Sequence, residues 1–230
     1  MPGMMAVALL LVGLQEPASR QATQGTNPIS RSNLLRLGTA YWWVVGIGTI
    51  FTLARFSEAF LVLRAHQSGI PVALIPLIIV AMNLVYASSA YPFGRLSDQI
   101  SHRKLLAFGL IVLIAADLVL AIADHWSLVV AGVALWGSHM GMTQGLLATM
   151  VADTAPTDLR GTAYGCFNLA CGLAMLLASV MAGLLWEQFG AAFTFYAGAL
   201  FCVIAIVGIA RYPNSPERPA SPDNRPSVTT

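Results

Sequence analysis

Long apolar segments alternate with short polar connectors along most of the chain. Six of these segments reach the roughly 20 residues that an α-helix needs to cross a bilayer core of roughly 30 Å. They cover approximately residues 41–62, 72–93, 105–123, 128–151, 162–186 and 191–210. The connectors are short and carry charged, Pro or Gly residues, which favours neighbouring antiparallel helices. The pattern predicts an all-α, polytopic membrane bundle of six transmembrane helices.

Three further segments flank or precede this bundle, which we place at residues 41–211. Residues 1–14 are apolar but too short to span, and they lack the basic start and cleavage site of a signal peptide, so we interpret them as the end of a partial transmembrane helix. Residues 15–40 are rich in Ser, Thr, Asn, Gln and Gly, which predicts a flexible cytoplasmic linker. Residues 212–230 have the composition of a disordered tail.

Composition supports a membrane protein and excludes several other classes. The chain is 57% hydrophobic and only 10% charged. A net charge of +2, spread between the spans, does not favour a nucleic-acid partner. The cysteines show no metal-ligand or redox spacing, so we expect no metal and no cofactor. An enzyme is not predicted, since only Asp117 and His139 offer catalytic groups inside the spans.

The basic residues divide between alternate connectors. One set carries Arg95, Arg103, Lys104, Arg160 and Arg211, whereas the other carries only Arg64. Positively charged connectors near span ends tend to remain in the cytoplasm. We therefore expect residues 94–104 and the C-terminus to be cytoplasmic, in the inner (plasma) membrane of a bacterium.

Charged and titratable residues also lie within the spans, where each one is costly. Arg55 and Glu58 are three residues apart, so on a continuous helix they would share a face and form a pair. That pair is either structural or part of a substrate or proton site. Asp117 has no cation within one helical turn and is neutral, partnered by another span, or a proton carrier. His139, near the middle of its span, either titrates or is a packing residue.

Small and amide-bearing residues in the spans have two interpretations as well. Gly137, Gly141 and Gly145 recur at four-residue intervals, and Gly161 and Gly165 follow in the next span; such stripes let helix backbones approach closely. Polar side chains in other positions serve either as ligands or as interhelical hydrogen-bonding groups. These are Asn83, Tyr86, Gln144 and Asn168.

The connector "GRLSDQISHRK", residues 94–104, resembles the loop motif G-x-L-(A/S)-D-(R/K)-x-G-R-(R/K) of the major facilitator superfamily (MFS). The matching positions are Gly94, Leu96, Asp98, Arg103 and Lys104, and the departures are Gln99, Ser101 and His102. The stretches "VADTAPTDLRGTAYGCFNLACG" and "LASVMAGLLWEQFGAAFTFYAGA" also resemble the fourth and fifth helices of one half of such a carrier.

This resemblance implies two six-helix halves that rock about a midplane site. The position of the loop motif implies that this chain is the C-terminal half of a secondary transporter of a small solute, coupled to protons as symporter or antiporter. Its partner would be an N-terminal half or a second copy of the chain. The alternatives are a transport-inactive membrane fragment or scaffold, and a parallel homodimeric half-carrier.

The resemblance also assigns residues to roles. Gly94 would allow a tight turn after the second helix, and Asp98 would pair with Arg160 beside Arg103 to hold the cytoplasmic side closed. The first, second, fourth and fifth helices of a half line the cavity, which leaves as pathway candidates Arg55, Glu58, Asn83, Tyr86, His139, Gln144 and Asn168. Asp117 lies on the third helix, which the resemblance places outside the cavity, and is therefore ranked below these candidates.

Overall fold

The computed structural model describes residues 31–97 and 99–211, with side chains from residue 33 onward. All regular structure in these residues is helical, as the sequence predicts. The α-helices are α1 (Arg31–Arg36), α2 (Thr39–Ala54), α3 (Ala59–Gln67), α4 (Ile75–Ser97), α5 (His102–Ala121), α6 (Trp126–Thr143), α7 (Leu146–Thr154), α8 (Arg160–Phe189) and α9 (Ala191–Ala210), and short 3-10 turns occupy Val72–Leu74 and Thr157–Leu159.

Five segments of the described chain are long and apolar enough to cross a membrane. They are Thr39–Gln67, Val72–Ser97, His102–Ala121, Thr157–Phe189 and Ala191–Ala210. The remaining predicted span, residues 128–151, is formed by α6 and α7, which are separated at Gln144 and Gly145. The prediction of a polytopic helical membrane protein is confirmed, but two of the predicted spans are each built from two helices.

Helix α5 lies at the centre of the bundle, packed against α6 on one side and α9 on the other. Its residues Leu106, Leu110 and Leu113 recur every three or four positions and are fully buried, as expected for the packed face of a helix. Helix α6 also packs on α4, and α2 contacts both α8 and α9.

Helices α4 and α8 are the least covered spans. Only 11% of the apolar window in Val72–Ser97 and 17% of that in Thr157–Phe189 is buried, compared with 50% in His102–Ala121. Each of these two helices therefore packs along a narrow face and presents the rest of its surface outward.

Two connections at one end of the bundle restrict its geometry. A single residue, Gly190, joins α8 to α9 with φ 91° and ψ 170°, a region that only glycine occupies readily. Arg64 of α3 donates from Nε to the carbonyl oxygen of Leu120 at 2.9 Å and from a terminal nitrogen to that of Ala121 at 3.1 Å. A cation at the C-terminus of α5 also interacts favourably with the helix dipole.

Two local expectations from the sequence are wrong. The end of the predicted linker is helical in α1, and Arg36 forms an ion pair of 2.7 Å with Asp158, so residues 31–38 are not a free coil. Gly94 is not in a turn, because α4 continues to Ser97. The interpretations of residues 1–14, 15–30 and 212–230 fall outside the described residues.

Candidate functional site: the broken first span

The first span is interrupted at residues 55–58. Arg55 follows the last residue of α2, which has 16 residues, and Glu58 precedes α3, which has 9 residues. At 1.5 Å per residue the interruption lies about 24 Å from one end of the span and about 14 Å from the other. The shared helix face predicted for Arg55 and Glu58 does not exist, and their charged groups do not approach within the 4.0 Å of an ion pair.

The interruption removes helical hydrogen bonds inside the membrane. Within the described structure, the amides of Phe56, Ser57 and Glu58 donate to no backbone carbonyl, and helical hydrogen bonds resume where Phe60 donates to the Ser57 oxygen at 3.1 Å. Non-helical backbone at membrane depth is tolerated only where it is buried in protein or lines a water-filled cavity. Residues 55–58 are therefore a candidate functional site.

On one side of the interruption, Arg55 has polar side chains from two helices and from the interruption itself nearby. Its guanidinium carbon lies 5.8 Å from the centroid of the Phe51 ring. Glu58 and Tyr86 of α4 are close enough to interact with its charge, and so is His139 of α6. Arg55 is thus within electrostatic range of three other predicted pathway residues.

The other three predicted pathway residues do not join this cluster. Asn83 is exposed on α4 and donates from its amide nitrogen to the carbonyl oxygen of Ile79 at 2.8 Å. Gln144 is exposed in the interruption between α6 and α7, and Asn168 is exposed on α8. All three lie on uncovered parts of the bundle.

On the other side of the interruption, Phe56 packs into an aromatic cluster. Its ring centroid lies 5.4 Å from that of Phe60, 5.5 Å from that of Trp136 and 5.6 Å from that of Phe195. Edge-to-face and tilted pairs at these distances are favourable beyond their buried area. These contacts with α6 and α9 hold the interrupted segment in place.

Three side chains next to this cluster have buried polar atoms without a hydrogen-bond partner in the described structure. These atoms are both carboxyl oxygens of Asp117, Nε1 of Trp136 and both ring nitrogens of His139. Asp117 and His139 are 0% exposed and Trp136 is 1% exposed. Buried polar groups are nearly always hydrogen-bonded, so such a concentration requires an explanation.

Asp117 lies beside the interruption, although the family resemblance ranks it below the cavity candidates. A methyl group built on Gly198 of α9 would be 2.7 Å from Asp117 Oδ2, 3.0 Å from the Phe56 ring and 3.3 Å from the carbonyl oxygen of Ala54. Because Gly198 has no side chain, the Asp117 carboxyl group and the end of α2 can both lie against α9 at this point. Its only sequence signal was a charge in a span with no cation within one turn.

The glycines predicted to mediate packing behave differently from one another. A methyl group on Gly137 would lie 2.5 Å from the carbonyl oxygen of Met82, and one on Gly141 would lie 3.0 Å from the amide nitrogen of Ala90, so both sit against the backbone of α4. Methyl groups on Gly145, Gly161 and Gly165 would meet nothing within 4 Å. Close contact between α4 and α6 brings Tyr86 and His139 into the same cluster.

The residues predicted to close one side of the carrier are only partly described. Arg103 lies in the first turn of α5, and Arg160 is the exposed first residue of α8. Asp98 falls outside the described residues, so its pairing with Arg160 stays a prediction. No group of three His, Cys, Asp or Glu residues arranged to hold a metal ion occurs in residues 31–97 and 99–211.

Comparison with known proteins gives a consistent result. A family model described as Major Facilitator Superfamily matches residues 37–229. An uncharacterised MFS-type transporter of Methanocaldococcus jannaschii is 33% identical over 165 residues, which are 69% of this chain and 41% of the relative. A probable sugar efflux transporter of Pasteurella multocida is 31% identical over 164 residues, which are 70% of this chain and 39% of the relative.

A third relative and a solved structure extend the comparison. The inner membrane transport protein YajR of Escherichia coli is 28% identical over 171 residues, covering 72% of this chain and 36% of that protein. The crystal structure of an auto-inhibited POT family peptide transporter has a similar fold, with a TM-score of 0.61 and 19% identity over 80% of this chain and 40% of the other.

The chain thus spans about two fifths of the length of these relatives. The family match covers both the interrupted first span and the less covered helices α4 and α8. On this evidence the chain belongs to the Major Facilitator Superfamily of membrane transporters.

Proposed function

We propose that this chain forms the C-terminal six-helix half of a secondary transporter that moves a small polar solute, with proton coupling. The observation that carries the proposal is the cluster of Arg55, Glu58, Tyr86 and His139 at the interruption of the first span. Intramembrane charges usually face a water-filled pathway, and interrupted helices form solute sites in transporters of several folds.

The chemistry of this cluster suits a solute with hydrogen-bonding groups. The Arg55 guanidinium donates in a planar fork, Glu58 accepts or carries a proton, and Tyr86 does both. The Pasteurella multocida relative, named a probable sugar efflux transporter, supports a small polar solute and export as its direction.

The uncovered faces of α4 and α8 support a second half in the complete carrier. These faces carry Asn83 and Asn168 together with small residues, which is unfavourable for complete exposure to lipid. The second half is supplied by an N-terminal six-helix unit or, alternatively, by another copy of this chain. The positive connectors support a cytoplasmic C-terminus, and the membrane we propose is a bacterial inner membrane.

The test is solute-driven proton flux in proteoliposomes containing the full-length protein and a pH-sensitive dye. Arg55→Gln should abolish flux for every solute that wild type moves. Arg95→Gln is the matched control, because Arg95 also lies 5.8 Å from an aromatic ring centroid, that of Tyr91, but at the exposed end of α4. Equal flux in Arg55→Gln and wild type would contradict the site.

The same preparations distinguish the alternatives. Crosslinking and detergent sizing that show a parallel pair of identical chains, together with flux, would establish the homodimeric half-carrier. A monomer that shows no proton flux with any sugar or metabolite tested would support the inert fragment or scaffold.

A further inference from the structure

We propose that Asp117 is a proton-binding site in the membrane interior, and that loss of its proton requires the interrupted segment 55–58 to rearrange. The proposal deepens the proton coupling of the proposed function, and as a coupling site Asp117 rests on that function. The binding of the proton itself is independent of transport and is tested without a solute.

Asp117 is 0% exposed, and neither of its oxygens accepts a hydrogen bond from the described residues. An ionised carboxylate without donors or a cation is very unfavourable in such surroundings. In this conformation the carboxyl group therefore carries its proton.

Charged and titratable groups lie on several elements around Asp117, but none of them bonds to its carboxyl group. Helix α9 contributes the buried thiol of Cys202, which is close enough to interact with the carboxyl group. Helix α3 contributes Arg64, whose guanidinium is bonded to the carbonyl oxygens that end α5. Helix α6 contributes His139, and Arg55 and Glu58 lie in the interruption itself. None of these groups hydrogen-bonds to Asp117.

A proton fits this site better than a metal cation. The three heavy atoms nearest to a methyl group on Gly198 include two oxygens, one from the Asp117 carboxyl group and one from the carbonyl of Ala54. No group of three His, Cys, Asp or Glu residues arranged to hold a metal ion occurs in the described residues, and hard metal cations take about six or more oxygen ligands. A proton needs only the carboxyl group.

The link to the interruption follows from what an ionised Asp117 would need. The end of α2 and the interrupted segment lie close by, since Asp117 Oδ2, the Ala54 carbonyl oxygen and the Phe56 ring all come within 3.3 Å of one methyl group built on Gly198. The segment that follows carries the unpartnered amides of Phe56, Ser57 and Glu58. Movement of Phe56 would admit water or bring such donors to the carboxylate, so proton release and rearrangement of the first span occur together.

Cys202 is a native reporter of this event, because it is fully buried beside Asp117. We would measure the rate at which a methanethiosulfonate reagent modifies Cys202 as pH is raised, in the full-length protein with Cys166→Ser and Cys171→Ser. Thiolate formation alone increases the rate about tenfold per pH unit. If ionisation of Asp117 opens the site, the modification rate in the protein with wild-type Asp117 should rise by a further factor of about ten for each pH unit over the same range.

Asp117→Asn has nearly the same shape and no proton to lose, so it should show the thiol dependence alone. Asp117→Glu keeps the carboxyl group and should restore the steeper dependence. Equal pH dependence in wild type and Asp117→Asn would overturn the proposal. If the difference follows replacement of sodium by choline and not pH, the site binds a metal cation and the proton assignment is wrong.

Infrared difference spectroscopy across the same pH range provides a measurement that needs no thiol. Loss of a protonated-carboxyl band that is absent in Asp117→Asn is the expected result, and an identical spectrum in the two proteins would overturn the proposal. A protein with the steep pH dependence but no solute flux would refute only the transport function. Flux that depends on Arg55 without that pH dependence would refute only the proton site.

Discussion

Helices α5 and α8 are both apolar enough to cross a membrane, but they are used in opposite ways. Half of the apolar window of α5 is buried, compared with 17% of that of the span containing α8. The leucines of α5 face α6 and α9, whereas Leu173 of α8 is 56% exposed. Hydropathy therefore identifies the spans without showing what covers them. The uncovered span is the one with open space at Gly161 and Gly165.

The largest expected effect comes from the leucines themselves. Leu113→Ala, at a position 0% exposed on α5, should lower the free energy of unfolding by about 2–5 kcal/mol, because it leaves a cavity between packed helices. Leu173→Ala on α8 should change it by less than about 0.5 kcal/mol. Unfolding of purified protein in detergent measures both. Similar losses would mean that α8 is covered in the purified protein.

Larger side chains at two glycines, one against the α4 backbone and one on the open face of α8, should differ in their effect on stability by a smaller amount. Gly137→Leu drives a side chain into the α4 backbone near the Met82 carbonyl oxygen, and we expect a loss of about 1–3 kcal/mol. Gly165→Leu enters open space and should leave thermal stability unchanged. If Gly165→Leu keeps its stability but loses solute flux, the open face of α8 contacts another half in the working carrier.

A single hydrogen bond to α8 should have a still smaller effect. The hydroxyl of Tyr41 donates to the carbonyl oxygen of Ala163 at 2.9 Å in a buried contact, so Tyr41→Phe should cost about 0.5–1.5 kcal/mol. Tyr164→Phe is the matched control, since Tyr164 donates to the carbonyl of Ala148 at the same 2.9 Å in an exposed contact. Equal melting temperatures for the two variants would show that the α2–α8 contact is not anchored by Tyr41.

The smallest effect is expected at the exposed ion pair that connects α1 to the segment before α8. Arg36 and Asp158 are 2.7 Å apart, with side chains 55% and 56% exposed, so Asp158→Asn should cost less than about 1 kcal/mol. The difference from wild type should disappear at high salt. A cost of several kcal/mol that persists in high salt would show that this pair holds α8 in place.

The spans were predictable from the sequence, but the interruption in the first one was not. Apolar length alone fixes where a helix must cross, since unsatisfied backbone is excluded from lipid. The segment "ARFSEA" contains neither Gly nor Pro, the usual local causes of a break. Its geometry accompanies the packing of Phe56 against Trp136 and Phe195, which belong to α6 and α9 and are distant in the sequence.

The candidate site was predictable only in part, because the sequence shows which polar residues lie in the spans but not which of them come together. Arg55 and His139 were recognisable as costly polar residues in spans, and the structure brings them together. Asp117 ranks below them because the resemblance places its helix on the outside of the bundle. A residue's exposure depends on which face of the helix it occupies, and that face is set by α9 and the end of α2.

Gly190 has a mechanical consequence for any change in shape of this helix bundle. A connection of one residue has no slack, so the ends of α8 and α9 that meet there must stay in contact. If the two helices move relative to each other, they pivot at Gly190, and the displacement grows with distance along α8. The largest separation would then fall near Arg160 at the opposite end, where a rotation of a few degrees over 30 residues becomes a movement of several ångströms.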